Sequence, residues 1–172
     1  MTDHEKVFAI PAVTPSCIML EAYKKYILTS LILHGHVAPF PSSLEGSIKR
    51  QLSNAAPKYA ELALPSTEPH QIKLIVESNA GVFSSDRNHG LARQAIQSVA
   101  DQAVMGLTKC YVTLSLADMA TQLQLDSPEA AENQLLRMIE SGKINAVIHG
   151  DKGTVKALPF SPKSHRKVDN IT

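Results

Sequence analysis

Two histidines one residue apart, His34-Gly-His36, are the side chains of this sequence best suited by type and spacing to begin a metal site. Such a pair can supply two zinc ligands, leaving a third ligand and a group beside the metal-bound water to come from elsewhere. In the zinc isopeptidase pattern H-x-H-x7-S-x2-D these come from the serine and the aspartate. Counting on from His34 puts Leu44 and Ser47 at those two positions, and neither side chain can fill the role. Imidazolium is favourable near the C-terminus of a helix, which gives both histidines a structural reason to be where they are. Asp86-Arg-Asn-His-Gly90 opens like a calcium loop, but its fifth residue is glycine and its twelfth is Gln97, where a bidentate glutamate is needed. Turn and N-cap chemistry accounts for these residues instead. With no G-x-S-x-G elbow and no phosphate-cradling glycine loop, the sequence predicts no catalytic, cofactor-binding or metal-ligating residue.

The cysteines add no chemistry. Cys17 and Cys110 fit neither a paired zinc knuckle nor a C-x-x-C redox site, and two buried thiols in a reducing compartment are expected. The 172 residues are 44% apolar with a formal net charge of +1, enough to bury a core and without general attraction to a polyanion. The start MTDHEKVFAI does not read as a signal peptide, and the apolar run around Ile27 to Leu33 is too short to span a bilayer. A soluble protein of the nucleus and cytoplasm is expected.

The elements that position these residues are mostly helical. Residues 1–14 read as a flexible lead-in. Ser16 offers a cap for a helix with Ile18, Leu20, Tyr23, Ile27, Leu28, Leu31 and Ile32 at helical spacing, Lys24 and Lys25 to one side, and Gly35 as a stop. A second helical stretch, Leu44 to Leu64, should break at Pro57. Further helices are predicted from about Pro69 to Ser78 and from about Asn88 to Leu107. A β-branched and aromatic run at Cys110 to Leu114 then precedes Ser115 and Asp118, a capping-box-like start for a helix ending near Leu125. Ser127 and Pro128 open another, closed by Gly142. Ile144 to His149 and Thr154 to Leu158 are extended runs joined through Gly150-Asp-Lys-Gly153, a hairpin. Strand, helix, helix, strand, turn, strand is the order of a winged helix. The fold expected is therefore mainly α: a helical stack over 15–108, a winged-helix subdomain with a small antiparallel sheet over 109–160, and a mobile polar tail over 161–172.

Several segments carry a resemblance. Glu21-Ala-Tyr-Lys-Lys-Tyr-Ile-Leu28, Asp86-Arg-Asn-His-Gly-Leu91 and Leu107-Thr-Lys-Cys-Tyr-Val-Thr-Leu-Ser-Leu-Ala-Asp-Met-Ala120 resemble the COP9 signalosome subunit 3 family of PCI-domain proteins. Glu129-Ala-Ala-Glu132, Met138-Ile-Glu-Ser-Gly142 and Asp151-Lys-Gly153 continue the likeness, which covers about 14–160. The resemblance implies a non-catalytic scaffold in the complex that removes Nedd8 from cullin-RING ubiquitin ligases, with catalysis by the zinc site of another subunit. Members carry a helical-repeat array ahead of the PCI domain and a bundle helix after the wing. Neither is expected in these 172 residues, so the chain is expected to be a portion or short form of such a subunit, with weakened incorporation. PCI scaffolds of the proteasome lid or of translation initiation factor 3 are the nearest alternatives.

Partners are then other PCI subunits, held through an edge strand of the wing and a side of the helical stack. Ile144, Ala146, Ile148, Val155 and Ala157 are the candidate contact residues, some of which must also face the domain's own core. The rival reading is a nucleic-acid-binding winged helix. Its second helix would carry Glu129, Glu132 and Glu140 against Arg137 toward phosphates, and the cations cluster instead at Lys163, His165, Arg166 and Lys167. No specific nucleic acid, membrane or small-molecule partner is predicted.

Overall fold

The computed structural model describes residues 15–42, 44–64, 68–111, 113–125, 127–149 and 153–158. The chain divides into two compact units, Met1–Ala103 and Val104–Thr172.

In the first unit, α1 (Cys17–His34) starts at Ser16, whose hydroxyl accepts from the Met19 amide, and stops at Gly35 in the left-handed conformation, φ 73°. The sequence expects both ends. α2 (Gly46–Ala55) and α3 (Pro57–Leu62) are parted at Ala56, because a proline at 57 has no N–H to carry a helix through. α4 (Pro69–Ser78) follows with a capping box between Glu68 and Gln71. A short helix absent from the sequence reading, α5 (Ala80–Ser85), comes next. Only Val82 and Phe83 are large and apolar within it, too few for a helical period to show, and Phe83 alone is buried. α6 (His89–Cys110) runs past the predicted end at Leu107, because Gly106 keeps a helical backbone instead of turning left-handed, no proline follows, and Lys109 suits a C-terminal turn. Its residues through Ala103 belong to the first unit.

The core of this unit is built from Tyr23, Ile27, Leu28, Leu31, Leu52, Tyr59, Leu62, Ile72, Val76 and Phe83 with Ala92, Ala95 and Val99 of α6. Each large side chain so buried contributes roughly 1.5–3 kcal/mol of transfer free energy. Two expectations fail here. Lys24 lies on the buried side of α1, at 9% exposure, while the apolar Ile18 is 69% exposed. Cys17 and Cys110 are both exposed rather than buried.

The second unit contains β1 (Thr113–Ser115), α7 (Leu116–Gln122), α8 (Pro128–Glu140), β2 (Ala146–His149) and β3 (Thr154–Ala157). This is the element order expected of a winged helix. The predicted strand at Cys110 to Leu114 is shifted, because α6 takes Cys110 and β1 begins at Thr113. Ser115 and Ser127 cap α7 and α8 by accepting from the amides of Asp118 and Ala130. α7 ends three residues before the expected Leu125. Gln124 takes a left-handed φ of 51°, and the Leu125 amide bonds back to the Ala120 carbonyl. At the end of α8, Gly142 (φ 69°) closes the same kind of motif, with Lys143 N–H on the Met138 carbonyl.

The sheet is antiparallel in the order β1-β3-β2. Its register sets Leu114, Val155 and Ile148 in one row and Thr113, Lys156 and Val147 in the next. The first row meets Leu116, Met119, Ala131, Leu135, Met138 and Val104 in the unit's core. The expected turn residues 150–152 and the expected tail, 161–172, lie outside the described residues; Gly153 has the expected positive φ, 58°.

Candidate functional site

A buried polar network in the first unit and the outward face and edge of the sheet in the second are the two features capable of a specific role. In the network, the Lys24 ammonium donates to Asp86 Oδ1 at 2.9 Å and to Glu21 Oε1 at 3.0 Å. Tyr59 Oη donates to the other Asp86 oxygen at 2.9 Å and accepts from Asn88 Nδ2 at 3.2 Å. Helical spacing sets Glu21 and Lys24 side by side on α1, α3 supplies Tyr59, and Asp86 caps α5. Arg87, left-handed at φ 57°, turns the chain so that Asn88 faces inward. Burial works against the charge of Lys24, but the Asp86 and Glu21 hydrogen bonds outweigh it and hold the ammonium above its usual pKa. Burial likewise drives the Tyr59 hydroxyl well above the ordinary phenol value, and the neighbouring Asp86 carboxylate adds to the effect. Both Asp86 oxygens and the Tyr59 hydroxyl are engaged within the cluster, as befits a structural tie. Asp86-Arg-Asn-His-Gly90 is therefore a turn into α6 from which Asp86 faces a lysine and a tyrosine and Asn88 faces the same tyrosine.

His34 and His36 sit at the end of α1 and are exposed, their ring centroids 6.0 Å apart, with His36 Nδ1 3.0 Å from the His34 carbonyl oxygen. Among the described residues no three His, Cys, Asp or Glu side chains are grouped to hold a metal ion. No helix among them is long and apolar enough to cross a membrane.

In the second unit the five candidate contact residues share one face of the sheet and its approach, and it is the inward face. Ile144, Ala146 and Val155 are buried in the unit's own core, Ile148 packs against that core, and Ala157 is half-buried. Ala146 pairs with Ala157, and Ile148 with Val155. The side chains of Ile144, Ala146 and Val155 are therefore closed to a partner, and those of Ile148 and Ala157 are only partly open. The alternation leaves open which set turns inward, since a step of one residue exchanges the faces of a strand, and the core takes the set that holds these five. The outward face carries Val147 at 43% exposure, Lys156, His149 and Leu158. β2 pairs only with β3 among the described residues, so its other side is an edge, and Ala146-Val-Ile-His149 presents no lysine, glutamate or proline to guard it. Sequence reasoning passed over Val147; with Ala146 and Ile148 committed to the core, it is the residue that remains.

Two family models match the chain. One, COP9 signalosome complex subunit 3, N-terminal helical repeats, covers residues 2–46, and the other, the PCI domain, covers 76–157. COP9 signalosome complex subunit 3 of Drosophila melanogaster is 37% identical over 153 residues, covering 88% of this chain and 34% of that protein. The chain belongs to the COP9 signalosome subunit 3 family. Its Arabidopsis thaliana relative, of the same name, is 33% identical over 168 residues, covering 96% of this chain and 39% of the relative. The chain thus spans about a third of the length of the curated subunit 3 proteins it matches. The helical-repeat match takes in α1, with Glu21 and Lys24, and the PCI match takes in Asp86, Asn88 and the whole sheet. Part of the chain's first unit accordingly matches the helical repeats of the subunit 3 family, contrary to the expectation that no repeat sequence lies in these 172 residues. Tyr59 falls between the two matches and bonds to the PCI portion.

Proposed function

We propose that this chain is a non-catalytic scaffold portion of a COP9 signalosome subunit, serving the complex that removes Nedd8 from cullin-RING ubiquitin ligases. It acts by packing its winged helix against other PCI subunits, in nucleus and cytoplasm alike. The observation that carries this reading is the open, uncharged β2 edge beside exposed Val147, in a chain of the subunit 3 family. An edge strand offers a partner main-chain hydrogen bonds, and the side chains beside it select which partner. The reading assigns no catalytic group, cofactor or small-molecule substrate to the chain.

Specific nucleic-acid binding is disfavoured by the exposed face of α8, which shows Glu129, Asn133, Leu136, Arg137 and Glu140. Glu129 stands at the helix N-terminus, where its own backbone amide and Ser127 hold its carboxyl below the usual glutamate value. It is thus a fixed anion where a DNA reader needs cations or neutral donors.

Co-expression of the full chain with PCI-bearing signalosome subunits, followed by affinity capture, tests the proposal. Capture is expected with wild type and reduced by Val147→Lys in a protein whose circular dichroism is unchanged. Undiminished capture by folded Val147→Lys would remove the edge mechanism, and no capture by wild type would remove the scaffold role.

A further inference from the structure

The hydrogen bonds of the hairpin determine which backbone groups of β2 face outward. The Leu158 amide donates to the Asn145 carbonyl at 2.8 Å, which makes Asn145 and Leu158 a hydrogen-bonded pair of the antiparallel ladder. Such pairs alternate with non-hydrogen-bonded ones. Val147 opposite Lys156 is then the next hydrogen-bonded pair, and Ala146 opposite Ala157 and Ile148 opposite Val155 are the open ones. Ala146 and Ile148 therefore direct their N–H and C=O groups away from β3, toward the edge that no described strand covers.

This pattern is self-complementary. Turn a second copy of β2 about a two-fold axis normal to the sheet at Val147, and Ala146 of each copy falls opposite Ile148 of the other. Both N–H groups and both C=O groups on each side then meet a partner, giving four hydrogen bonds between the strands. The two Val147 residues meet on the axis as a non-hydrogen-bonded pair, where side chains approach most closely. They lie on the outward face, at 43% exposure each in the single chain. No charge of Ala146-Val-Ile-His149 opposes its mate.

We propose that β2 pairs antiparallel with β2 of a second copy of this chain, joining two three-stranded sheets into one of six strands about Val147. The inference rests on the reading of β2 as an edge for strand addition, with the occupant now a second copy. Four residues of edge bury far less than the roughly 1,200 Å² of a stable interface, so association is weak and concentration-dependent. Self-pairing and heterologous capture compete for the same groups.

Sedimentation of the full chain up to about 1 mM should show reversible self-association. Val147→Lys and Val147→Glu, each placing like charges on the axis, should each weaken it up to about fivefold, and an equimolar mixture of the two should restore it. In a Cys17→Ser, Cys110→Ser background, Val147→Cys should form a disulfide dimer under mild oxidation, because facing residues of such a pair lie within disulfide reach. Lys156→Cys is the control, since three strand spacings, about 14 Å, would part the two thiols. A wild-type chain that stays monomeric throughout, with Val147→Cys crosslinking no faster than Lys156→Cys, overturns the proposal. A monomeric chain that still captures PCI subunits overturns this inference alone, whereas a self-associating chain that captures none overturns the scaffold reading alone.

Discussion

At the scale of single residues, Lys24 carries the largest departure from what its type suggests. A lysine at 9% exposure is tolerated because both Asp86 and Glu21 accept from it. Replacing Asp86 by alanine leaves the ammonium half-paired and the Tyr59 hydroxyl without its acceptor, and about 3 kcal/mol of stability should be lost in urea unfolding. Tyr59→Phe should cost roughly 1–2 kcal/mol. Because both changes act on one network, the double variant should lose less than the sum of the two. A second expectation concerns pH. The pKa values of Tyr59 and Lys24 are raised in the folded protein, so their contribution is complete below about pH 10, where the unfolded chain also keeps its protons. As pH climbs above that, the unfolded chain releases protons that the folded one retains, and stability falls. Thermal melts between pH 9 and 11 should show the decline, with a shallower slope in Tyr59→Phe. None of this was legible beforehand, because helical periodicity assigns Lys24 a face by its neighbours in sequence while its partner Asp86 lies 62 positions away.

At the scale of elements, local chemistry was legible wherever one residue decides it. Ser16, Ser115 and Ser127 cap the helices they were expected to cap, and Gly35 and Gly142 end theirs. What the sequence left open was the phase of β2 and β3, since every position of Ile144 to Ile148 except Asn145 is apolar and only the packed helices decide which alternate set turns inward. The two glycines should respond differently to alanine. At Gly142 the new methyl group meets open space and only the positive φ opposes it, so a loss of about 1 kcal/mol is expected. At Gly35 the methyl group would also lie 2.5 Å from Gln102 Oε1, the free end of a side chain that can swing aside by giving up its long hydrogen bond to the Ile32 carbonyl, so Gly35→Ala should lower the melting temperature only slightly more. Lysine scanning of the strands checks the phase: Val155→Lys, at 2% exposure, should unfold the sheet-bearing unit, while Val147→Lys should stay within about 0.5 kcal/mol of wild type.

At the scale of the whole molecule, the two units each have a core of their own, and the near-zero net charge leaves binding to be decided by patches. The strongest cluster of positive charge in the sequence is Lys163, His165, Arg166 and Lys167. DNA binding at low salt should accordingly be weak, indifferent to sequence and lost on deleting residues 161–172, as gel shifts at two salt concentrations would report. A selective shift that survives the deletion and depends on Arg137 would point to the helix pair α7 and α8 instead. The short segments from which the likeness to subunit 3 was legible also hold structural contacts. Glu21 and Lys24 meet Asp86 in one cluster, and Ser115 opens the helix that follows β1.

The alternation of hydrogen bonds along β2 also leaves a kinetic imprint on the backbone. In heavy water the amides of Val147 and His149, directed at β3, should exchange their protons slowly, while those of Ala146 and Ile148, directed at the open edge, should exchange fast. Whatever strand docks there must slow that fast pair and leave its neighbours nearly unchanged, so two amides resolved by nuclear magnetic resonance would report when the edge is occupied.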